Sequence, residues 1–467
     1  MSTHAATFGG VPACYKLRVR GARGIVIGCV AAAGSAHADP TIGLTVRGDV
    51  ATTDNVFAVA NRREGDVYVQ VRPGLIFAYE APRTSQELFV EGEMVEYFRH
   101  SDAPSFGLRG GWKGFFLPTP RSELLLAANG GTGTLNALTA RTTPDQTAFA
   151  VLPPGPVTVY QADGAENASW EATHSVRLLQ AAVARWTATD DDLGTTTQST
   201  EIGATLGVDR SWRDNALVFE AGATYLHMER LAPPATLQSR LDRQANPLAK
   251  ATWRHDLGRR WSTSVDAGVV YVNPVGTDPF STGMTRHAAA FPVFGGQLAY
   301  SDLWGRATLG ARRSVTASPY IAQNTVDDSA IAQLALPLAW LDDNVYARSP
   351  RLLALGSVGV ERTRLVDPQS SALAGELRIA RADVGLAWTP RPGQTYGLRY
   401  ELLYQSSNTV AAMVIPSYHR NTVFFTFTLR PQAAPSMMPR GSQSVRADRS
   451  DLQPIGAEPV VPEAAAP

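Results

Sequence analysis

The chain has little of what a helical membrane protein, a disulfide-bonded protein or a thiol enzyme needs. Its only two cysteines, Cys14 and Cys29, both lie near the N-terminus of the 467 residues. No stretch approaches the ~18 or more consecutive apolar residues of a membrane-spanning helix. A mature chain that begins after residue 38 therefore has neither a disulfide nor a cysteine-ligated metal. These absences exclude a helical membrane protein but not one that crosses a membrane with β-strands.

An excess of charge of one sign is also lacking, since 42 basic residues stand against 42 acidic residues. That balance argues against nucleic acid as a partner. The eight histidines are scattered without metal-ligand spacing, and the sequence has no Gly-x-Ser-x-Gly nucleophile motif. The sequence therefore predicts no catalytic residues, no cofactor and no metal site.

The first 38 residues have the pattern of a signal peptide. Basic residues precede an apolar segment, Gly24 to Ala33, and Ala36-His37-Ala38 is a small-residue cleavage site before Asp39. Cleavage removes four of the basic residues and none of the acidic ones. Cys29 offers a lipoprotein-type site as an alternative, although few apolar residues precede it.

The clearest structural unit lies between Ala380 and Gln405. Ala380, Ala382, Val384, Leu386 and Trp388 alternate with polar or small residues, a short Pro-rich turn follows, and a second alternating row runs from residue 396 to residue 404. A period of two indicates strands with one apolar and one polar face. The rows have about the 9–11 residues that a tilted strand needs to cross a bilayer. The unit is therefore predicted to be a transmembrane β-hairpin.

Similar rows recur along the chain and predict about eighteen strands, an even number as in bacterial membrane barrels. The links between them alternate between short and long, which predicts short periplasmic turns and long extracellular loops. Two of the expected strands are Pro247–Arg254 and Ala330–Trp340. The predicted fold is thus an all-β, antiparallel, transmembrane β-barrel over residues 39–430.

Tryptophans mark the expected membrane interface, because indole places its ring in the apolar layer and its N–H in water. Most stand beside short links, which favours an interface girdle over the core of a soluble sandwich. The predicted girdle consists of Trp170, Trp212, Trp253, Trp261, Trp304, Trp340 and Trp388.

If the apolar rows face lipid, the interleaved charged residues line the lumen. Both signs are present, so these side chains either pair along the wall or set the electric field of a channel. The predicted lumen-lining residues are Glu91, Glu93, Glu201, Asp209, Glu220, Lys250, Arg254, Asp266, Arg381, Asp383, Arg399 and Glu401.

Two further segments are expected to be irregular. Asn129–Gly155 is Gly- and Pro-rich, and it either folds inward to narrow the lumen or forms an exposed surface loop. Residues 431–467 form a Pro- and Ala-rich tail that is predicted to be disordered and periplasmic.

The segments Asp54-Asn55-Val56-Phe57 and Asp66-Val67-Tyr68-Val69-Gln70-Val71-Arg72-Pro73-Gly74-Leu75 resemble the start of the porin-like outer-membrane β-barrel proteins found beside exopolysaccharide genes. The repeated Trp–turn–strand units extend the resemblance along nearly the whole mature chain. It implies an outer-membrane barrel involved in polysaccharide export, and it implies no catalytic residue. The tail after the last strand departs from the usual pattern.

Together these patterns predict a channel in the outer membrane of a Gram-negative bacterium, either a passive porin or a conduit for exopolysaccharide secretion. The expected partners are the lipid bilayer, the barrel assembly machinery and periplasmic polysaccharide-export components. The alternative is a closed structural or adhesion barrel that displays its extracellular loops.

Overall fold

The computed structural model describes residues 40–56, 63–100, 105–135, 157–191, 196–231, 239–276, 287–302, 305–318, 323–338, 351–366, 373–391, 393–408 and 417–430. In these residues, no helix is long and apolar enough to cross a membrane. The strands are β1 (Thr41–Thr53), β2 (Asp66–Ala81), β3 (Thr84–Tyr97), β4 (Ser105–Thr119), β5 (Ser122–Leu135), β6 (Val157–Thr173), β7 (Val176–Asp191), β8 (Thr196–Trp212), β9 (Asn215–Leu231), β10 (Arg240–Asp256), β11 (Trp261–Val272), β12 (Ala289–Asp302), β13 (Gly305–Ser318), β14 (Gln323–Pro337), β15 (Leu352–Val366), β16 (Leu373–Arg391), β17 (Gln394–Ser407) and β18 (Tyr418–Leu429).

These strands form one closed antiparallel sheet of 18 strands. Each strand pairs with its neighbours in the sequence, and β1 closes the sheet by pairing with both β2 and β18. Closure leaves no edge strand with unpaired backbone groups, as a membrane barrel requires. The predicted all-β, antiparallel barrel of about eighteen strands is confirmed, and the predicted lengths of its loops stay a prediction.

The sheet has an apolar face and a polar face, because successive side chains of a strand point to opposite sides. On β16, Val384, Leu386 and Trp388 are between 44% and 60% exposed on the apolar face. The polar face is concave: Arg254 on β10 reaches Asp209 on β8 at 2.9 Å, across the intervening strand β9. The apolar face is therefore the outside of the barrel.

The wall opens into two layers between β12 and β13. These strands pair only from Phe294–Arg313 to Asp302–Gly305. Above that point residues 289–293 of β12 pair with β11, and residues 314–318 of β13 pair with β14. The sheet is thus split toward the end at which the chain connects β11 to β12 and β13 to β14.

Across this split the ends of β13–β15 lie against the inner side of β10–β12. The Nδ2 of Asn324 donates a hydrogen bond to the Oε1 of Gln244 at 2.5 Å, and Val326 and Val366 pack against Val272 and Phe291. By register, Asn324 and Val326 belong to the apolar face, whereas Gln244 and Phe291 belong to the polar face. Contact between opposite faces means that the ends of β13–β15 overlap the inner side of β10–β12. We call this overlap the lap.

The expectation of an irregular segment over Asn129–Gly155 is wrong for its first part. Residues 129–135 belong to β5 and pair with β4 and β6. Glycine suits this part of the strand, because a Cβ at Gly131 would lie 3.0 Å from the carbonyl oxygen of Leu108 and 3.2 Å from the Cβ of Arg109. Residues 136–155 lie outside the described residues.

Several strands also extend further than predicted. β10 begins at Arg240 rather than Pro247, and β14 begins at Gln323 rather than Ala330. In both strands the added residues are mostly polar, so the apolar–polar alternation that marks a strand in the sequence is lost there. The predicted signal peptide, residues 1–38, and the tail, residues 431–467, lie outside the described residues.

Candidate channel lining

The strand register places all twelve predicted lumen-lining residues on the polar face of the sheet. Six of the twelve form three ion pairs with one another. Glu220 and Lys250 face each other on β9 and β10 with 3.6 Å between charged atoms, and Arg254 contacts Asp209. Arg399 lies 3.9 Å from Glu401 on the same strand.

Three more of the predicted acids pair with arginines that the sequence analysis did not single out. Glu91 contacts Arg109 at 2.6 Å and Glu93 contacts Arg72 at 3.1 Å. Glu201 contacts Arg185 at 3.2 Å. These arginines also occupy the polar rows of their strands, so the period-two pattern could have identified them. Their partners depend on register, which a single sequence does not specify.

The remaining three predicted residues have other neighbours. Asp383 accepts a hydrogen bond from Ser357 and lies opposite Glu401. Asp266 lies opposite Gly295, where a Cβ would approach its Oδ1 to 2.6 Å. Within the described residues, neither Asp266 nor Arg381 has an ion-pair partner. Asp383 has no ion-pair partner among these residues either, and the residue it faces is a second acid.

The ion pairs made by the predicted residues run along the wall. Each joins side chains of the same strand, of adjacent strands or, for Asp209 and Arg254, of second neighbours. Such pairs brace a barrel wall without crossing its interior. They also leave both signs of charge spread over the polar face.

A tyrosine cluster thickens the wall on one side of the barrel. Tyr68 and Tyr97 are buried on the polar face with ring centroids 5.7 Å apart, and Ala51, Val95 and Phe424 pack around them. This cluster was not predicted, because an aromatic residue in a polar row is not distinguishable from a lipid-facing one by composition alone.

The arginine beside the tyrosine cluster is equally buried. Arg420 is 2% exposed and lies 3.6 Å from Glu401. An arginine this deep needs a carboxylate, since an unpaired buried charge is costly. Glu401 therefore has a structural partner in addition to Arg399.

The lap forms a second thickening, at the same end of the barrel. Its innermost strands carry Thr316, Thr325 and Asp327 on the polar face. Asp327 is 6% exposed and accepts hydrogen bonds from the hydroxyls of Thr316 and Thr325. Together with the tyrosine cluster, the lap occupies space that a single-layered wall would leave open.

The five predicted girdle tryptophans that the structure describes lie on the apolar face at one end of the barrel. Trp170, Trp212, Trp253, Trp261 and Trp388 are between 40% and 50% exposed. Trp261 packs on Tyr300 with centroids 4.8 Å apart, and Trp388 packs on Tyr396 at 5.5 Å. Trp304 and Trp340 lie outside the described residues. The assignment of these rings to a membrane interface stays a prediction.

No group of three or more His, Cys, Asp or Glu side chains is placed to hold a metal ion in the part of the chain that the structure describes. No protein-family model and no curated protein matches the chain.

Solved structures of proteins from two genera are similar at low identity. The outer-membrane protein OpdK of Pseudomonas aeruginosa is 11% identical with a TM-score of 0.42, over 84% of this chain and 99% of that one. OpdQ of the same organism is 13% identical with a TM-score of 0.41, over 84% and 99%. OccAB2 of Acinetobacter baumannii is 10% identical with a TM-score of 0.40, over 84% and 98%. These likenesses are too distant to transfer a substrate, and the fold rests on the strand pairing itself.

Proposed function

We propose that the protein is a diffusion channel in the outer membrane of a Gram-negative bacterium. The observation that carries this proposal is the direction of the ion pairs. Because the pairs of the twelve polar-face residues run along the wall, the charges line the interior instead of interlocking across it. Barrels of 16–18 strands leave an aqueous passage unless something fills it.

The outside of the barrel supports the membrane location. On β16, the outward-facing Arg378 and Trp388 are ten positions apart, with Ala380, Ala382, Val384 and Leu386 between them on the same face. That span is about 33 Å along the strand, or about 23 Å in height at a tilt of about 45°. An outer-membrane barrel has an apolar band of about 25 Å.

The finer proposal is a conduit for exopolysaccharide. A lining that alternates between acids and bases offers hydrogen-bond donors and acceptors to a hydroxyl-rich chain without selecting strongly for one ionic sign. In this function the protein works with periplasmic polysaccharide-export components. The barrel assembly machinery inserts it after the signal peptide is removed.

One observation favours the alternative of a closed structural barrel. The tyrosine cluster and the lap both take up interior space at the same end, and a plug formed there would leave a scaffold that displays its loops. The two functions differ in whether ions pass.

Single-channel conductance of the purified protein in a planar bilayer distinguishes them. We expect discrete current steps, and steps that shrink on addition of oligosaccharide support the polysaccharide conduit. Steps that are indifferent to sugar support a general porin. A folded barrel that inserts but carries no current would overturn the channel and leave the structural barrel.

A further inference from the structure

A row of charged side chains crosses the outside of the barrel on β13–β16. Arg313, Asp328, Arg362 and Arg378 lie directly opposite one another on successive strands, and Phe294 of β12 continues the row. All five belong to the apolar face by register. Charges on this face are unusual, because farther along the same strands, toward the tryptophans, the outward-facing side chains are apolar.

Two carboxylates in this region serve four guanidinium groups. Asp328 accepts from Arg313 at 2.5 and 3.0 Å and from Arg364 at 2.8 Å. Glu376 accepts from both Arg362 and Arg378. The six side chains therefore carry a net charge of about +2 by their ordinary ionisation at neutral pH. We call these six residues the arginine ladder.

The ladder contains a repulsive contact that the described residues only partly relieve. Arg362 and Arg378 face each other directly, and like charges opposite each other on neighbouring strands are destabilising. Their shared partner, Glu376, supplies one negative charge for the two positive ones. An additional anion at this place would relieve the repulsion.

Two arginines of the ladder, next to the apolar band, are accessible from outside. Arg362 is 48% exposed and Arg378 is 68% exposed at the side chain. Directly beneath them along β15, Val358 and Val360 are 58% and 53% exposed. A lipid whose acyl chains cover these valines therefore holds its headgroup at the level of the arginines.

We propose that the arginine ladder binds the phosphate of an anionic lipid in the surrounding leaflet. The guanidinium group is a planar fork that donates two parallel hydrogen bonds to a phosphate, and it is hydrated more weakly than an ammonium group. The ring of Phe294, with the guanidinium carbon of Arg313 5.1 Å from its centroid, closes one end of the binding surface. The inference rests on the membrane location given under the proposed function, but it does not require an open channel.

The test compares lipid binding to the full-length protein in detergent by native mass spectrometry. The probes are a bis-phosphorylated glycolipid, the same glycolipid without phosphate, and inorganic phosphate as a competitor. The test variant is Arg362→Gln/Arg378→Gln. The matched control is Arg210→Gln/Arg391→Gln, which neutralises two exposed arginines near the tryptophan end of the barrel.

We expect the test variant to bind the phosphorylated lipid at least about tenfold more weakly, since the loss of even one of its two charge-assisted contacts, at about 1.4 kcal/mol, has that effect. The control variant and the dephosphorylated lipid distinguish phosphate recognition at the ladder from non-specific lipid binding. An Arg378→Lys variant, which keeps the charge and loses the fork, should lie between the wild type and the double variant.

Equal binding of the phosphorylated lipid by wild type and test variant would overturn the proposal. So would equal binding of both lipids, or an equal loss in the control variant. Displacement of the lipid by an equimolar amount of inorganic phosphate would instead make the ladder a site for free anions, which also overturns it. Conductance of the same preparations reports separately on the channel, because a conducting barrel without lipid selectivity contradicts only the ladder.

Discussion

Asp209 and Arg254 form an ion pair of the polar face that water reaches less than it reaches the pair of Glu220 and Lys250. Their side chains are 7% and 18% exposed, whereas those of Glu220 and Lys250 are each 29% exposed. Burial makes the loss of one partner expensive, because the other charge stays desolvated. Exposed pairs contribute little, since water and salt screen them. The two pairs therefore form a natural comparison.

The first prediction is that Arg254→Gln lowers the free energy of unfolding by about 2 kcal/mol, below the ~3–5 kcal/mol of a fully buried pair because the side chain of Arg254 is 18% exposed. Lys250→Gln, in the more exposed pair, should lower it by less than about 1 kcal/mol. Urea unfolding in liposomes, followed by tryptophan fluorescence, measures both. The double variant Asp209→Asn/Arg254→Gln should recover part of the loss, because no charge is then left buried. Equal losses for the two single variants would contradict this account.

His100 lies just beyond the end of β3 and ties that end to the start of β2. Its Nδ1 lies 2.8 Å from the Oδ2 of Asp66, and its Nε2 lies 3.0 Å from the Oε2 of Glu64. The hydrogen bonds to Asp66 and then to Glu64 raise the pKa of His100 above its usual value. The charged imidazolium is therefore the form that the folded protein favours.

The second prediction concerns pH. A group whose pKa is raised on folding contributes stability that is fully present below its unfolded pKa of about 6.5. That contribution is lost as the pH rises through the higher folded value. The difference in thermal midpoint between wild type and His100→Gln should accordingly be largest below about pH 6 and decline above neutrality. A difference that grows with pH would refute the assigned role of His100.

At the scale of single strands, the alternating pattern predicted the position of each strand because lipid and the interior impose opposite chemistry on successive side chains. The hairpin of β16 and β17 is therefore predicted from its two alternating rows, Ala380 to Trp388 and residues 396 to 404. The pattern failed where this contrast disappears. Beyond the apolar band both faces of β10 and β14 carry polar residues, so their first residues had the composition of a loop.

Glycines in the strands also differ in how much space surrounds them, and the sequence does not show this difference. A Cβ at Gly222 of β9 would lie 2.1 Å from the carbonyl oxygen of Ala204 on β8, whereas a Cβ at Gly48 of β1 would meet nothing within 4 Å. The first glycine permits a close approach of two strands. At Gly48 the neighbouring strands leave room for a side chain.

The third prediction is that Gly222→Ala destabilises the barrel by about 1–3 kcal/mol, since β8 and β9 must separate to admit the methyl group. Gly48→Ala is the matched control, and it should be neutral or slightly stabilising because alanine restricts the unfolded chain. The urea midpoints of the two variants measure this contrast. A Gly222→Ala protein that unfolds at the wild-type midpoint would show that the close approach is easily relaxed.

At the scale of the whole molecule, the alternating pattern predicted that the twelve charges share one face of the sheet. It did not predict the tyrosine cluster and the lap, which lie on the same side of the wall. The lap joins the apolar face of one sheet segment to the polar face of another. Its valines, Val326 and Val366, have the side chains expected of lipid-facing residues. The split between β12 and β13 brings them against Val272 and Phe291 of β11 and β12, contacts that no local sequence pattern specifies. The interior shape is therefore a tertiary property.

The last prediction follows from this shape. If the lap narrows the passage, weakening its apolar contacts should widen it. Val326→Ala/Val366→Ala removes two side chains that hold the inner layer against Val272 and Phe291. We expect a loss of about 2 kcal/mol in unfolding free energy together with a larger single-channel conductance. Val358→Ala/Val360→Ala makes the same chemical change at exposed positions on the outside of β15, and its conductance should equal that of the wild type. An unchanged conductance in the lap variant, with the stability loss present, would show that the lap supports the wall without limiting the flow.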